Sequence, residues 1–308
     1  MEQAGIKGFI KSILDSNALS RNLIMNPIRN YTLHKHFLSL LPLNELDKET
    51  KDLWLERIRK VKVSSDNAKI NTISNSGKLK DGKLTMHNGI VIDPLSYYGA
   101  PVMRMLMENN AIHEPQEEYV FQEVLKCMPE NATMLELGCY WGFYSMWFAS
   151  KIKGAKNFLI DNHDGIARAQ SNFKMNGLKA EFMTGYIGKD NPESSITITN
   201  VDRICKEKGI SFLDILHSDI QGFELEMLET ASEMITKRAI GFIFISTHSQ
   251  ELHYNCIEFL KQNGYIILCD ADLEDSFSED GLIVARDPSY KGPDLYTISS
   301  RKKEDLPA

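Results

Sequence analysis

The chain has 308 residues, of which 43% are hydrophobic and 25% are charged, and its formal net charge is -7. The composition is that of an ordinary globular protein, and the acidic balance argues against a protein that binds nucleic acid through a basic surface. No apolar run approaches the roughly 20 residues that a membrane span requires.

The five cysteines are scattered, odd in number and never arranged as C-x-x-C. This pattern indicates thiols in a reducing compartment and argues against a disulfide framework or a zinc site. The first residues also lack the charged-then-apolar order of a secretory signal. We therefore expect a cytoplasmic protein.

The N-terminal part of the chain predicts helices followed by a small β-hairpin or meander. Apolar residues recur at helical spacing between residues 5 and 43, and a further helix begins near residues 44–47. Short β-rich runs separated by glycine-containing turns follow between residues 69 and 93. This region is expected to cover the acceptor side of a pocket or to mediate dimerisation.

Two more helices are predicted before the first long strand, one from Pro94 to Met107 and one that begins near His113 with a proline in its first turn. Glu114 and Glu117 in this second helix are candidates for lining a pocket. The composition changes near residues 129–131, which predicts an N-terminal region of residues 1–130. Residues 131–290 then form a second domain, and residues 291–308 form a tail with a solvated end.

The segment from Thr133 to Ser145 organises the second domain. A short apolar run carries Glu136 near its end, and Gly138 and Gly142 frame a turn that leads into an aromatic, apolar stretch. This order predicts a buried parallel strand, a tight turn and a helix that packs back on the sheet. Glycine at both positions would let the backbone turn sharply and let a ligand lie against it.

The turn does not have the G-x-G-x-x-G spacing of a dinucleotide site, and the acid at Glu136 would repel a pyrophosphate. S-adenosylmethionine suits such a turn better because it carries a sulfonium, an ammonium and no phosphate. An ordinary turn without a ligand is the alternative. A dehydrogenase is the weaker interpretation because the nucleotide glycines are missing.

The next predicted strand, Lys156–Asp161, ends in an acid roughly 20 residues after the turn, where such folds hold ribose hydroxyls. A helix over residues 166–176 and a strand over residues 180–184 follow, and Tyr186 lies at the ligand-facing end of that strand.

Two further strands deliver polar residues to the same edge. The strand over residues 212–216 is followed by His217 and Asp219, and the strand over residues 240–246 is followed by His248. A helix rich in Leu and Met begins near Glu224, and residues 265–269 and 282–285 predict a closing strand pair.

The motifs LELGCYWGFYS (135–145), LIDNHDG (159–165), SNFKMNGL (171–178), FLDILHSDIQGFELEML (212–228) and STHS (246–249) carry a resemblance to a known family. Together they resemble the FkbM-type S-adenosylmethionine-dependent methyltransferases, in a branch with Thr-His-Ser at the fifth strand. The chain departs from the commonest family pattern at Tyr140, at Asp161 and Asn162, and at His217 and Gln221.

The resemblance implies an α/β fold with a doubly wound, Rossmann-like sheet, a closing antiparallel strand, and methyl transfer to a sugar hydroxyl of a polysaccharide, glycolipid or glycosylated natural product. The residues expected to bind S-adenosylmethionine are Glu136, Gly138, Tyr140, Gly142, Tyr144, Ser145, Asp161, Asn162 and Tyr186. A methyltransferase that acts on a non-sugar molecule stays open. An inactive methyltransferase-like binding module also stays open. The protein could form a homo-oligomer in each of these cases.

Proton removal from a hydroxyl requires a base or a metal. His248 is the first candidate for the base, because an imidazole with a pKa of ~6.5 can be neutral at cellular pH and accept a hydroxyl proton. Asp219 could orient that imidazole or hold the acceptor hydroxyl, and His217 is the second choice as base. Asp219, Glu224 and His248 could alternatively hold Mg²⁺ or Ca²⁺ through hard ligands. Each also has a structural explanation, since Asp219 could cap a helix and Glu224 suits the first turn of one.

Overall fold

A computed structural model describes residues 48–98, 100–189 and 197–302. The helices predicted between residues 5 and 43 and the end of the tail lie outside the described residues. The described chain divides into two compact units. The first holds residues 48–62 and 71–113, and the second holds residues 63–70 and 114–302.

The first unit combines two helices with a small antiparallel sheet. Its elements are α1 (Lys48–Val63), β1 (Leu79–Lys80), β2 (Lys83–Thr85), β3 (Val91–Ile92) and α2 (Ala100–Glu108). The strands pair in the order β1-β2-β3, as the predicted meander requires. Leu84, Ile92, Met103 and Leu106 form part of its buried apolar core.

The second unit is built on a seven-stranded sheet with the order β11-β12-β10-β9-β4-β5-β6. Its elements are a 3-10 turn (Ser65–Lys69), α3 (Pro115–Leu125), β4 (Thr133–Leu137), α4 (Phe143–Lys151), β5 (Lys156–Asp161), α5 (His163–Met175), β6 (Glu181–Thr184), β7 (Tyr186–Ile187), β8 (Ile198–Thr199), α6 (Val201–Lys208), β9 (Leu213–Ser218), α7 (Glu224–Thr230), α8 (Ser232–Thr236), β10 (Ile240–Thr247), α9 (Gln250–Gln262), β11 (Ile266–Ala271) and β12 (Gly281–Arg286).

Pairing in this sheet is parallel from β6 to β10, whereas β12 runs antiparallel to both of its neighbours. The chain places β5 and β6 on one side of β4 and places β9 and β10 on the other. A parallel sheet of this kind binds ligands at the carboxyl edge, where the strand order reverses. The predicted doubly wound α/β fold with a closing antiparallel strand is confirmed.

Helices cover both faces of the sheet. On one face α6, α7, α8 and α9 bury apolar residues against Leu135, Leu216 and Ile243. On the other face Phe121 of α3 packs against Phe244 of β10, and α4 and α5 complete the layer. Strands covered on both faces are buried along their whole length, and β4, β9 and β10 are buried at every position.

The division of the chain differs from the predicted boundary at residue 130. Helix α3 belongs to the second unit because its buried Phe121 contacts Tyr144, Trp147 and Phe244 there. At the predicted solvated end of the tail, Lys302 is exposed, whereas Arg301 is half-buried. Arg301 donates from Nε to the carbonyl oxygen of Ser276 at 2.8 Å, within the same unit.

Within the described residues, no helix combines the length and the apolar character needed to cross a membrane.

Candidate active site

The turn after β4 depends on two glycines with left-handed backbone, Gly138 with φ 72° and Gly142 with φ 74°. A Cβ at Gly138 would lie 1.7 Å from the backbone oxygen of Asp219, and one at Gly142 would lie 3.1 Å from the Cβ of Ala169 and 3.2 Å from the Phe173 ring. The sequence led us to expect that these glycines leave space for a ligand. Within the described chain, the space that they leave is taken by neighbouring protein atoms.

Asp161 at the end of β5 holds the same turn. Its Oδ2 accepts a hydrogen bond of 2.7 Å from the Tyr140 N–H, and its Oδ1 accepts one of 2.6 Å from the Asn162 N–H. Burial raises the pKa of Asp161 more than these bonds lower it. Tyr140 is left-handed, with φ 42°, and its ring lies 4.9 Å from the Arg168 guanidinium carbon. Tyr140 and Asp161 are therefore joined directly at this turn.

Glu136 lies buried in β4 behind this turn. Its Oε2 accepts a hydrogen bond of 3.1 Å from the backbone N–H of Ser145 at the beginning of α4. Burial raises the pKa of Glu136 to about 7, although the charge of His217 and the Ser145 bond oppose that rise. The carboxyl group therefore changes its charge near neutral pH.

The other predicted cofactor residues divide into three environments. The Asn162 side chain caps α5 by accepting hydrogen bonds from the N–H groups of Asp164 and Gly165. Tyr144 is buried, and its hydroxyl donates to Glu114 Oε2 at 2.8 Å. Tyr186 is 49% exposed beside the strand edge. The structure thus joins Glu136 to Ser145 and Tyr140 to Asp161 by direct hydrogen bonds, and it leaves Tyr186 accessible to solvent.

His217 belongs to the interior of the sheet and lies within β9. It is 3% exposed, and its Nε2 lies 2.6 Å from Glu117 Oε1 of α3. Burial alone would lower the pKa of His217, but the charge and hydrogen bond of Glu117 raise it overall. The Tyr144 ring lies 4.4 Å from the imidazole. This environment is that of a buried ion pair, so His217 is poorly placed for the base role that the sequence suggested as a second choice.

His248 follows β10 and is surrounded by carboxylates from three elements. Its Nδ1 lies 2.8 Å from Glu224 Oε1, and its Nε2 lies 3.3 Å from Asp219 Oδ1 and 3.3 Å from Asp280 Oδ1. The Gln221 amide nitrogen lies 2.9 Å from Nε2 and 3.2 Å from Asp219 Oδ1. The predicted residues Asp219, Glu224 and His248 therefore do converge.

These contacts determine the charge of His248. Burial would lower the pKa of its imidazole, but hydrogen bonds to Asp219 and Glu224 and the charge of Asp280 raise it to about 10. At neutral pH both ring nitrogens then carry a proton, so Nδ1 donates to Glu224 and Nε2 faces the Asp219 and Asp280 carboxylates as a donor. The prediction of a neutral imidazole at cellular pH is wrong for this arrangement.

Asp280 is the functional candidate that the sequence analysis missed. It directly precedes β12, whose first residue Gly281 pairs with Thr247 at the end of β10. Antiparallel pairing thus places the residue before Gly281 beside the residue after Thr247, which is His248. The position of Asp280 beside His248 could be inferred only from the register of β12, which the sequence does not reveal.

The predicted metal site is not supported. Over residues 48–98, 100–189 and 197–302, no group of three or more His, Cys, Asp or Glu side chains is arranged to hold a metal ion. The carboxylates of Asp219, Glu224 and Asp280 instead face the two nitrogens of His248. A doubly protonated imidazole has no lone pair to offer a metal.

Comparison with known proteins identifies the family. The model of the methyltransferase FkbM domain matches residues 85–267, which is more than half of the chain. No curated protein matches. Solved structures with a similar fold include the precorrin-6y C5,15-methyltransferase of Geobacter metallireducens, with 13% identity, TM-score 0.39, and coverage of 55% of this chain and 87% of that one.

Another is TrmK of M. capricolum in complex with S-adenosylhomocysteine, with 16% identity, TM-score 0.40, and coverage of 56% of this chain and 70% of that one. At such scores neither likeness bears on the reaction. The family match is independent of them and coincides with the turn and strand ends described above. The chain belongs to the FkbM family of S-adenosylmethionine-dependent methyltransferases.

Proposed function

We propose that this protein transfers a methyl group from S-adenosylmethionine to a hydroxyl group of a sugar in a polysaccharide, glycolipid or glycosylated natural product. One observation carries the proposal. The turn at Gly138 and Gly142 (the cofactor turn) is in direct contact with the carboxylate cluster of Asp219, Glu224 and Asp280. The Asp219 N–H donates to the Leu137 carbonyl oxygen at 2.9 Å, and the Asp219 backbone oxygen lies against Gly138.

On this proposal the turn binds the cofactor. S-adenosylmethionine, when bound, supplies an electrophilic methyl group on a sulfonium sulfur. The carboxylates of Glu136 and Asp161 suit an ammonium group and ribose hydroxyls, and the half-exposed Tyr186 ring offers a surface for the adenine. Asn162 contributes through the position of α5, since its side chain already caps that helix.

The acceptor is activated beside His248. A hydroxyl that took up the methyl group would have to lose its proton, so a residue of this chain would have to accept that proton. Because the Asp219, Glu224 and Asp280 carboxylates keep His248 protonated, the proton acceptor is Asp219, and the imidazolium orients that carboxylate. General-base catalysis of this type contributes about 10² to 10⁴ in rate.

The test is calorimetry with S-adenosylmethionine followed by a methyl-transfer screen over sugars, read by mass spectrometry. Binding plus a methylated sugar supports the proposal, whereas binding without transfer to any sugar favours the binding-module or non-sugar alternatives. If EDTA abolishes turnover and Mg²⁺ or Ca²⁺ restores it, the reaction depends on a divalent cation, which this geometry does not support.

We also propose a cytoplasmic location and a role in acceptor binding or dimerisation for the first unit. The cysteines support the location, since all five are free and four are buried. Fractionation of cells and light scattering of the purified chain test the location and the oligomeric state separately.

A further inference from the structure

His253 is a buried histidine of the second unit that has no part in the chemistry proposed above. It lies in the first turn of α9, where its backbone N–H donates to the Ser249 carbonyl oxygen at 2.9 Å. Its Nδ1 lies 2.9 Å from the hydroxyl oxygen of Thr247, and both side chains are fully buried. A buried polar group costs free energy unless it is hydrogen-bonded, so this bond fixes the two side chains against each other.

The other ring nitrogen of His253 faces β11. Its Nε2 lies 3.6 Å from Oδ2 of Asp270, which is beyond hydrogen-bond distance. Within the described part of the chain, this nitrogen makes no hydrogen bond. The hydrogen bond that orients the imidazole is therefore the one to Thr247.

Gly281 brings β12 against the same two side chains. Thr247 is the last residue of β10, and it pairs with Gly281, the first residue of β12. A Cβ at Gly281 would lie 2.5 Å from the Thr247 hydroxyl oxygen and 3.0 Å from His253 Nδ1. Close packing of these three residues thus forms the junction of β10, β12 and α9.

Both partners of the contact between His248 and Asp280 are attached to this junction. His248 directly follows Thr247, and Asp280 directly precedes Gly281. On its other side, His248 is followed by Ser249, whose side chain caps α9. A shift at the junction would therefore change the distance of 3.3 Å between His248 Nε2 and Asp280 Oδ1.

This distance matters for the charge of His248. Three carboxylates face its imidazole, namely Asp219 after β9, Glu224 of α7 and Asp280 before β12. Burial lowers the pKa of His248, and the three carboxylates together raise it. Coulomb energy falls with distance, so a displaced Asp280 would raise that pKa less.

We propose that His253 is a positioning residue, which holds Thr247 against Gly281 and thereby keeps Asp280 in contact with His248. It acts through Thr247 and needs no contact with cofactor or acceptor. The inference rests on the proposed function, in which the imidazolium of His248 orients Asp219. The contact that it concerns can nevertheless be measured without turnover.

NMR titration of the His248 imidazole, assigned by comparison with His248→Ala, tests the inference. His253→Leu removes the hydrogen bond from one side, and Thr247→Val removes it from the other. Each should lower the pKa of His248 by up to about one unit, the shift expected for loss of the Asp280 charge. His253→Asn keeps a polar group in place of Nδ1 and should retain the wild-type pKa.

The direction of the shift separates positioning from a direct charge effect. If removal of a charge on His253 acted directly, the pKa of His248 would rise, because like charges disfavour protonation. Leu260→Ala, in the buried core further along α9, is the matched control. It should lower the free energy of unfolding and leave the pKa of His248 unchanged.

Combination with Asp280→Asn completes the test. In that background His253→Leu should cause no further decrease, because the contact that it disturbs is already lost. The inference is overturned by an unchanged or raised pKa in His253→Leu and Thr247→Val, by an equal decrease in His253→Asn or Leu260→Ala, or by a decrease additive with that of Asp280→Asn. Cofactor binding and sugar methylation by the wild type are measured separately. Their failure counts against the proposed function, whereas an unchanged pKa in the variants counts against the positioning role alone.

Discussion

His217 and His248 follow the same sequence pattern, a histidine at the end of an apolar strand, and yet they occupy opposite environments. His217 lies inside β9 with a 4% exposed side chain and one carboxylate partner, Glu117. His248 lies beyond β10 with a 16% exposed side chain and contacts to Asp219, Glu224 and Asp280. The first is part of the packing, whereas the second is partly exposed at the carboxyl edge of the parallel strands.

The difference arises from which element covers each residue. Phe121 and Glu117 of α3 lie over His217, while α7 and the loop before β12 surround His248. A buried histidine beside one carboxylate stabilises the sheet as an ion pair. A half-buried histidine among three carboxylates holds them in fixed positions through its two ring nitrogens. Position at a strand end therefore does not by itself identify a catalytic histidine.

The largest expected effect is on turnover. His248→Ala and Asp219→Asn should each lower it by about 10² to 10⁴ with cofactor affinity unchanged, because proton acceptance depends on this pair. Glu258→Gln, which neutralises an exposed carboxylate of α9, is the matched control and should retain full turnover. Steady-state kinetics together with calorimetry measure both quantities. Near-normal turnover of both active-site variants would refute the assignment.

The two histidine sites should also differ in their effect on stability, and here the larger effect is expected at the His217 site. Glu117→Leu leaves His217 buried without its carboxylate and should lower the free energy of unfolding by about 3 to 5 kcal/mol. His248→Ala should cost less, since its surroundings are partly open to water. Urea denaturation provides the values.

The double variant Glu117→Leu, His217→Leu completes the cycle, because an apolar pair of similar volume removes the buried charges together. It should recover most of the loss. If Glu117→Leu is no less stable than the wild type, the Glu117–His217 ion pair does not stabilise the sheet.

The charge of His248 gives a prediction about pH. Its pKa is raised to about 10, so its ion pairs contribute fully below the unfolded value near 6.5 and are lost as the pH rises toward 10. The free energy of unfolding should decline across that window. Asp280→Asn removes one carboxylate and should lower the pKa by about one unit, which imidazole NMR resonances measure. A wild-type His248 that titrates near 6.5 would contradict the three-carboxylate arrangement.

The sheet was predictable because its strands are buried on both faces. Apolar runs such as Lys156–Asp161 coincide with β5 at both ends, and the glycine turn follows from local backbone needs. The environments of the histidines were not predictable. Glu117 lies 100 residues before its partner His217, and Asp280 reaches His248 only through the register of β12.

The boundary predicted near residue 130 differs from the division of the structure for a related reason. Polar residues at that point mark the connection between α3 and β4, and composition alone does not distinguish a loop inside a domain from a linker. Contacts such as those of Phe121 with Trp147 and Phe244 assign α3 to the second unit.

The smallest expected effect concerns the cofactor turn, the region that neither histidine occupies. Burial raises the pKa of Glu136 to about 7, and the ammonium group of S-adenosylmethionine favours the ionised carboxylate. Because bound cofactor lowers that pKa, affinity should rise with pH through about 7 and reach a plateau above it. The gain should be only several-fold, or about 1 kcal/mol, since Ser145 already donates to the carboxylate. Calorimetry from mildly acidic to mildly alkaline pH measures it. Glu136→Gln should bind more weakly and without this pH dependence, and an unchanged pH profile in that variant would assign the titration to another group, with Asp161 as the next candidate.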